Sequence, residues 1–429
     1  MATAGRLVGP DAHVDGASFD SRSTRPGQLF VPIVAERDGH DFVAAAVAAG
    51  ATAYLTSRPA DPAVPAPAVE VADTAAALMD LARWARERLP ATVVGVTGSV
   101  GKTSTKDLIA AAVGAGRRVT ANTRSFNNEQ GLPVTVLGAS DDVEVLVLEM
   151  GMRGFGEIAR LCAVSRPDVG VVTKVAPSHT ERVGGLDGVA RAKAELVEAL
   201  PAGGTAVLNA DDERVAAMAA RTAAAVVTFG HSPDATVRVE GVVLDERARA
   251  RFRAVTPWGR AEVALAVSGE HMVPNAAAAL AVAGALGVDV AAAAAALATA
   301  PLSAARMEVL DAAAGGLVVN DAYNANPSSM AAALRALARM AASRRVAVLG
   351  PMAELDDPVA AHADIGALAR GLGVELIAVG TDRYGVDPVA RSAVAAALGP
   401  IAAGTAVLVK ASNAARLYEL APQLARFEY

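Results

Sequence analysis

The apolar positions of this 429-residue chain fall into short continuous runs, alternating with longer stretches where they recur every three or four residues. In the middle of the chain the runs at 92–96, 144–149, 168–174, 204–208 and 224–229 predict strands, with helical stretches such as 102–113 between them. That alternation predicts a mostly parallel sheet with crossover helices. From 236 to 267 the pattern changes to alternating Val, Arg and Glu positions, which predicts a small antiparallel insertion. Helices resume at 274–286 and 290–299. Beyond Pro301 a second alternation predicts strands at 317–320, 345–349, 375–379 and 405–409, and helices at 327–342, 358–372, 388–398 and 413–424. That order belongs to a doubly wound unit. The first ninety residues predict two strands, 28–33 and 52–56, and two helices, 40–49 and 74–88. Leu89-Pro90 then interrupts the helix, because proline disfavours helix at the residue before it. The expectation is an α/β protein of three domains: a small N-terminal α/β domain (1–88), a central parallel-sheet domain (89–302) and a C-terminal doubly wound, Rossmann-like domain (303–429).

The run at 92–96 leads into Gly95-Val96-Thr97-Gly98-Ser99-Val100-Gly101-Lys102-Thr103-Ser104 and then into a helix. Strand, glycine-rich loop and helix together form the setting of a phosphate-binding loop (P-loop). Glycines let backbone N–H groups approach phosphate oxygens, and a helix N-terminus favours negative charge. Lys102 can reach terminal phosphates, and the Thr103 hydroxyl can hold Mg²⁺. The spacing departs from G-x-x-x-x-G-K-[ST] at Val96, where that pattern has glycine. The central block is therefore expected to be an ATPase-type domain.

Composition narrows the partners. With a formal net charge of −6 and 3% aromatic residues, the chain offers neither a basic field nor stacking platforms for nucleic acid. The single cysteine, Cys162, builds no disulfide, and its helical setting suits a small buried residue. The first residues lack the charged-then-apolar order of a signal peptide, and the apolar runs are broken by charge or proline. A cytoplasmic protein that spans no membrane is expected.

Other polar residues gather at strand ends. Glu149 closes the run 143–148, where a carboxylate beside a phosphate loop can hold Mg²⁺. His179 follows the next strand and can reach the same cleft. Asn127 and Asn128 offer uncharged donors and acceptors to a substrate or phosphate, although a helix-capping turn explains them equally. On composition alone Lys193 is a solvated helix lysine. Asn320 to Ser329 concentrates polar side chains where open α/β sheets bind ligands. Arg306 and Lys410 lie near element ends, within reach of a phosphate across a domain cleft.

Taken together and in this order, Thr97 to Thr103, the Asn127-Asn128…Gly131…Pro133 cluster, Glu149, His179, Lys193, Asn275 and Asp321-Ala322-Tyr323-Asn324-Ala325-Asn326-Pro327 resemble the Mur ligases. These are ATP-dependent amide-bond-forming enzymes of peptidoglycan precursor synthesis. The likeness extends to Gly350-Pro351-Met352-Ala353-Glu354-Leu355 and to the N-terminal runs Asp20-Ser21-Arg22, Pro26-Gly27-Gln28-Leu29-Phe30-Val31 and Asp38-Gly39-His40-Asp41-Phe42. The loop spacing is that family's own, so Val96 does not count against it.

The resemblance implies an ADP-forming ligase joining D-alanyl-D-alanine to UDP-N-acetylmuramoyl-tripeptide through an acyl phosphate. It implies ATP and two Mg²⁺ as cofactors and a monomer as the working unit. Gly98, Ser99, Gly101, Lys102, Thr103 and Ser104 would bind phosphates, with Lys102 catalytic and Thr103 on the first Mg²⁺. Glu149, His179 and a carbamylated Lys193 would hold the second. Asn275 would contact adenine, while Arg306 and Asp321 would close over the nucleotide. Ser21 and Arg22 would hold the UDP end of the substrate; Asn127, Asn128, Tyr323, Asn324 and Asn326 would face substrate. The chain departs from the family pattern at Met272, Asn320 and Asn413, with Arg416 one turn beyond the position of a missing arginine. A relative joining another carboxylate or amine would look much the same. A non-catalytic nucleotide-binding relative would have no reason to keep Lys102, Thr103, Glu149, His179 and Lys193 together.

Overall fold

Three separate sheets divide the chain in the computed structural model, which describes residues 2–123, 126–177 and 180–427. The first sheet orders its strands Arg6–Val8, Ala68–Glu70, Ala53–Thr56, Leu29–Phe30, Ala17–Ser18, with only the Arg6–Val8 pairing antiparallel. Three of these strands have no counterpart in the sequence expectation, and the strand expected over 28–33 contracts to two residues. Strands of two or three residues leave no period to read. What holds them is burial: Ala17, Leu29, Val31 and Leu55 pack on Ala77 and Leu78 of the helix Thr74–Arg86. That helix starts where the Asp73 carboxylate accepts hydrogen bonds from the Ala75 and Ala76 N–H groups.

The second sheet has nine strands. Its parallel part runs Val119–Ala121, Val145–Glu149, Thr92–Thr97, Val169–Val172, Thr205–Asn209, Ala225–Gly230. Thr92–Thr97 is thus flanked by Val145–Glu149 and Val169–Val172, so the phosphate loop and Glu149 emerge from adjacent strands at the same end. The antiparallel stretch after 236 is not an insertion standing apart. Val237–Leu244 pairs parallel with the end of Ala225–Gly230, then Arg249–Thr256 and Gly259–Ser268 extend the same sheet antiparallel. Its alternating Val and Arg reflect one face packed on the core and one in water. The covered face meets the helix Val273–Ala285, whose alanines from Ala276 to Ala283 are fully buried beside the phosphate-loop helix Lys102–Gly114.

The third sheet orders Glu308–Asp311, Leu317–Asn320, Thr405–Lys410, Arg344–Leu349, Glu375–Val379, Pro388–Val389. It is parallel except at Glu308–Asp311, an unexpected edge strand. The helix expected over 388–398 is shorter, Val394–Leu398, because Pro388–Val389 instead pairs with the open edge of Glu375–Val379. An edge tolerates proline, which has no N–H to donate. Similarly, the helix expected over 413–424 begins as two short 3₁₀ turns before Leu420–Arg426. Among the described residues no helix is long and apolar enough to cross a membrane.

Candidate active site

A cleft of about 1400 Å³ lies between the central and C-terminal sheets, lined by the phosphate loop, the 127–130 turn and the strand ends at Asp321 and Lys410. Single small-molecule sites run from roughly 300 to 1,000 Å³, so this cleft has room for more than one substrate.

The loop is shaped by two glycines. Gly98 has φ +149°, and a Cβ there would stand 1.9 Å from Thr173 Oγ1; Gly101 has φ +85°, and its Cβ would meet Asn275 Oδ1 at 2.8 Å. Both positions combine a left-handed backbone with no room for a side chain. Neighbouring strands stitch the loop down. Ser99 Oγ donates to Ala176 O at 2.8 Å and accepts from Ala176 N at 2.9 Å, while Thr173 Oγ1 donates to Val100 O at 2.7 Å. No side chain caps the helix Lys102–Gly114, so its first amides point at the cleft uncapped. Lys102 Nζ folds back to donate to Gly98 O at 2.7 Å. Burial pushes its pKa down, Glu149 pulls it back up, and Arg306 adds a lowering push. Ser104 is buried on the same helix.

Glu149 is 1% exposed. Its Oε2 accepts from Thr103 Oγ1 at 2.8 Å and its Oε1 from Asn127 Nδ2 at 2.7 Å. Asn122, absent from the sequence expectation, accepts from the Glu149 N–H at 2.9 Å and donates to Phe126 O at 3.1 Å, joining the Glu149 backbone to the 126–128 turn. Its one available signal is its place directly after the strand Val119–Ala121. Lys193 is not a solvated helix lysine: it is 2% exposed, and no hydrogen bond or ion pair to another described residue holds its amine. Burial first, and then the charge of Lys102, hold its pKa well below the ordinary lysine value. His179 lies outside the described residues.

From the C-terminal side, Arg306 Nη2 donates to Thr103 Oγ1 at 3.0 Å, and the guanidinium carbon lies 4.2 Å from the centre of the Tyr323 ring. Asp321 Oδ1 accepts from the Met307 N–H at 3.1 Å, and Oδ2 pairs with Lys410 Nζ at 2.6 Å. Lys410, 2% exposed, also donates to Asp321 O and Asn324 O, so it organises the whole 321–324 turn. Asn275, buried, donates to Met272 Sδ at 3.5 Å. His271 lines the cleft beside it, its pKa lowered by burial and by Lys410 against the opposing pull of Asp321.

Some expected residues have local duties. Asn128 Oδ1 accepts from the Gly131 N–H at 2.9 Å, a local turn contact just ahead of the helix Gly131–Leu137. Asn326 caps the helix Pro327–Arg339 in a capping box with Ser329, and Asn324 Oδ1 accepts from the Ala325 N–H. All three still line the cleft. Ser21 and Arg22 do not. They sit in a turn of the N-terminal block, where the exposed Arg22 pairs with Asp20 at 2.7 Å.

Residues 96–283 match the Mur ligase middle domain and residues 305–425 the Mur ligase glutamate ligase domain. The chain is 43% identical to the UDP-N-acetylmuramoyl-tripeptide–D-alanyl-D-alanine ligase of Mycobacterium tuberculosis, across 95% of this chain and 91% of that protein. A crystal structure of MurF from Acinetobacter baumannii superposes with a TM-score of 0.87 at 29% identity, covering 99% of this chain and 97% of that one. MurF from Thermotoga maritima in complex with ADP superposes at 0.82 and 27% identity, covering 97% and 98%.

Proposed function

The chain belongs to the Mur ligase family, and from that premise we propose that it joins D-alanyl-D-alanine to UDP-N-acetylmuramoyl-tripeptide with cleavage of ATP to ADP and phosphate, in peptidoglycan precursor synthesis. The observation that carries the reading is the meeting at Thr103. The phosphate-loop hydroxyl, the Glu149 carboxylate and the Arg306 guanidinium, from three distant parts of the chain, converge on one wall of the cleft.

A carboxylate at neutral pH is a poor electrophile, so the peptide's terminal carboxylate must first be activated. One of its oxygens attacks the γ-phosphorus of ATP, the bond to the β-bridging oxygen breaks, and ADP leaves an acyl phosphate behind. Lys102 and the uncapped helix amides hold the phosphates against the charge that develops, and Arg306, from the C-terminal part of the chain, adds a second cation beside them. The amine of D-alanyl-D-alanine then attacks the acyl carbon and loses a proton. The tetrahedral intermediate collapses to the amide and expels phosphate. Much of the rate comes from holding the three reactants in one geometry.

The residues present fit Mg²⁺. Among the described residues no three His, Cys, Asp or Glu side chains cluster to hold a metal by themselves. Thr103 Oγ1 and the Glu149 carboxylate supply hard oxygens at the phosphate end, the rest being left to phosphate oxygens and water, as Mg²⁺ prefers. When bound, Mg²⁺ neutralises the developing phosphate charge. Lys193 fits a carbamate: a lysine reacts with CO₂ only as the neutral amine, the form its burial favours. With His179, it would complete a second ion's ligands beside Glu149. We assign Asn275 to adenine, Asp321 to the nucleotide's other side, and Asn127, Asn128, Tyr323, Asn324 and Asn326 to the substrate. Ser21 and Arg22, in a turn of the N-terminal block, remain our assignment for the UDP end. The domains correspond to 1–88, 89–302 and 303–429. The working unit we assign is a monomer, and the substrates suit a cytoplasmic enzyme.

Phosphate release with UDP-N-acetylmuramoyl-tripeptide and a panel of amines tests the proposal. Release that depends on D-alanyl-D-alanine supports it. Release only with another amine assigns a different ligase reaction, and no release with any pair refutes ligation.

A further inference from the structure

Arg306 stands on a backbone strained on both sides: Ala305 has φ +58° and Met307 φ +50°. Residues with a Cβ adopt that conformation only where their surroundings impose it. On the C-terminal side the Met307 N–H donates to Asp321 and the Tyr323 N–H donates to Ala305 O at 3.3 Å. On the central side the Ser303 N–H donates to Asp107 Oδ2 at 2.7 Å. Asp107 and Thr103 are four residues apart on the helix Lys102–Gly114, hence on one face of it. The segment 303–306 runs along that face, with Ser303 on Asp107 and Arg306 on Thr103. The other oxygen of Asp107 pairs with the buried Lys106 ammonium at 2.8 Å, and Lys106 Nζ also donates to Asn122 O at 2.6 Å. This buried ion pair fixes the carboxylate from behind. Neither Lys106 nor Asp107 lines the cleft.

We propose that Asp107 is a positioning residue for the ligation: it ties the 303–306 segment to the phosphate-loop helix and so sets the Arg306 guanidinium on Thr103. The inference rests on the reading of Arg306 as a group acting on the nucleotide's phosphates.

The test is a double-mutant cycle on the full chain, read by phosphate release. Asp107→Ala should lower kcat on the order of 10- to 100-fold, the usual effect of misplacing a charge-stabilising group, with KM for ATP changing much less. Ser303→Pro removes the N–H donor without touching the helix and should repeat the loss, which keeps the test open if Asp107→Ala folds poorly. Asp107→Asn, retaining one acceptor oxygen, should recover most of the rate. In an Arg306→Ala background, Asp107→Ala or Ser303→Pro should change kcat by less than about twofold. A full further loss in that background overturns the positioning role alone. Wild-type kcat in Arg306→Ala itself overturns the reading of Arg306, and the inference with it.

Discussion

Thr103 Oγ1 donates to Glu149 Oε2 at 2.8 Å, although one residue opens the phosphate-loop helix and the other ends the neighbouring strand. The strand register makes this possible. Val96 pairs with Glu149 in the parallel ladder, so Glu149 leaves the sheet beside the start of the loop. Removing that carboxylate's charge should therefore affect the metal before it affects the fold. Glu149→Gln keeps the shape and can still accept from Thr103. It should reduce phosphate release by about 100-fold or more and raise the Mg²⁺ concentration giving half-maximal rate. A Mg²⁺ titration superimposable on that of the parent enzyme would remove Glu149 from the metal site.

Lys102 crosses the loop to Gly98 O and faces Glu149 and Arg306 electrostatically. Lys102→Ala should cost on the order of 10² to 10³ in kcat, since no other loop side chain brings a cation. Near-parental ligation by this variant would dismiss the phosphate role.

Lys193 is predicted to carry CO₂. In ¹³C-bicarbonate the protein should show a carbamate resonance that Lys193→Ala lacks, and activity of that variant should be strongly reduced. The same burial has a pH signature in CO₂-free buffer. The folded-state pKa is lowered from 10.5, so between the lowered value and 10.5 the unfolded chain binds a proton that the folded chain does not. The group's contribution to stability therefore rises with pH across that window. Lys193→Met should raise the Tm most at the acid end of the window, and the gain should shrink as pH approaches 10.5. A pH-independent difference would mean that Lys193 is not buried as a neutral amine.

Gly98→Ala places a Cβ 1.9 Å from Thr173 Oγ1 at φ +149°. The strain should lower stability by about 1–3 kcal/mol and weaken ADP binding through displacement of the loop. Calorimetry of the variant with unaltered ADP affinity would contradict this.

Cys162 is 4% exposed, and burial pushes its thiol up to about 12. Iodoacetamide at pH 8 should leave the folded protein unlabelled and label it once after denaturation, as mass spectrometry can determine.

Much of the architecture was legible along the chain because periodicity reports local backbone. The strands at Leu317–Asn320 and Glu375–Val379 match the apolar runs residue for residue, and the phosphate loop announces itself by glycine spacing between a strand and a helix. The short N-terminal strands were not legible, since two residues have no period. Nor was the attachment of Val237–Leu244 to the central sheet, which hangs on the two pairings Phe229↔Val237 and Gly230↔Arg238.

The site divides in the same way. By itself the sequence offered candidates for phosphate and metal chemistry, because a glycine-rich loop ending in Lys-Thr between a strand and a helix, and a carboxylate at a neighbouring strand end, supply the groups that such chemistry needs. Tertiary structure alone decided how they are used. It buried Lys193 and so favoured its neutral amine, turned Asn128 and Asn326 toward local backbone, and brought Arg306 to Thr103 across 203 residues. It also recruited Asn122 and Asp107 and turned Lys410 onto Asp321, through partners on other elements. Burial and long-range hydrogen bonds depend on which surfaces meet, and no local pattern of hydrophobic and polar residues encodes that meeting.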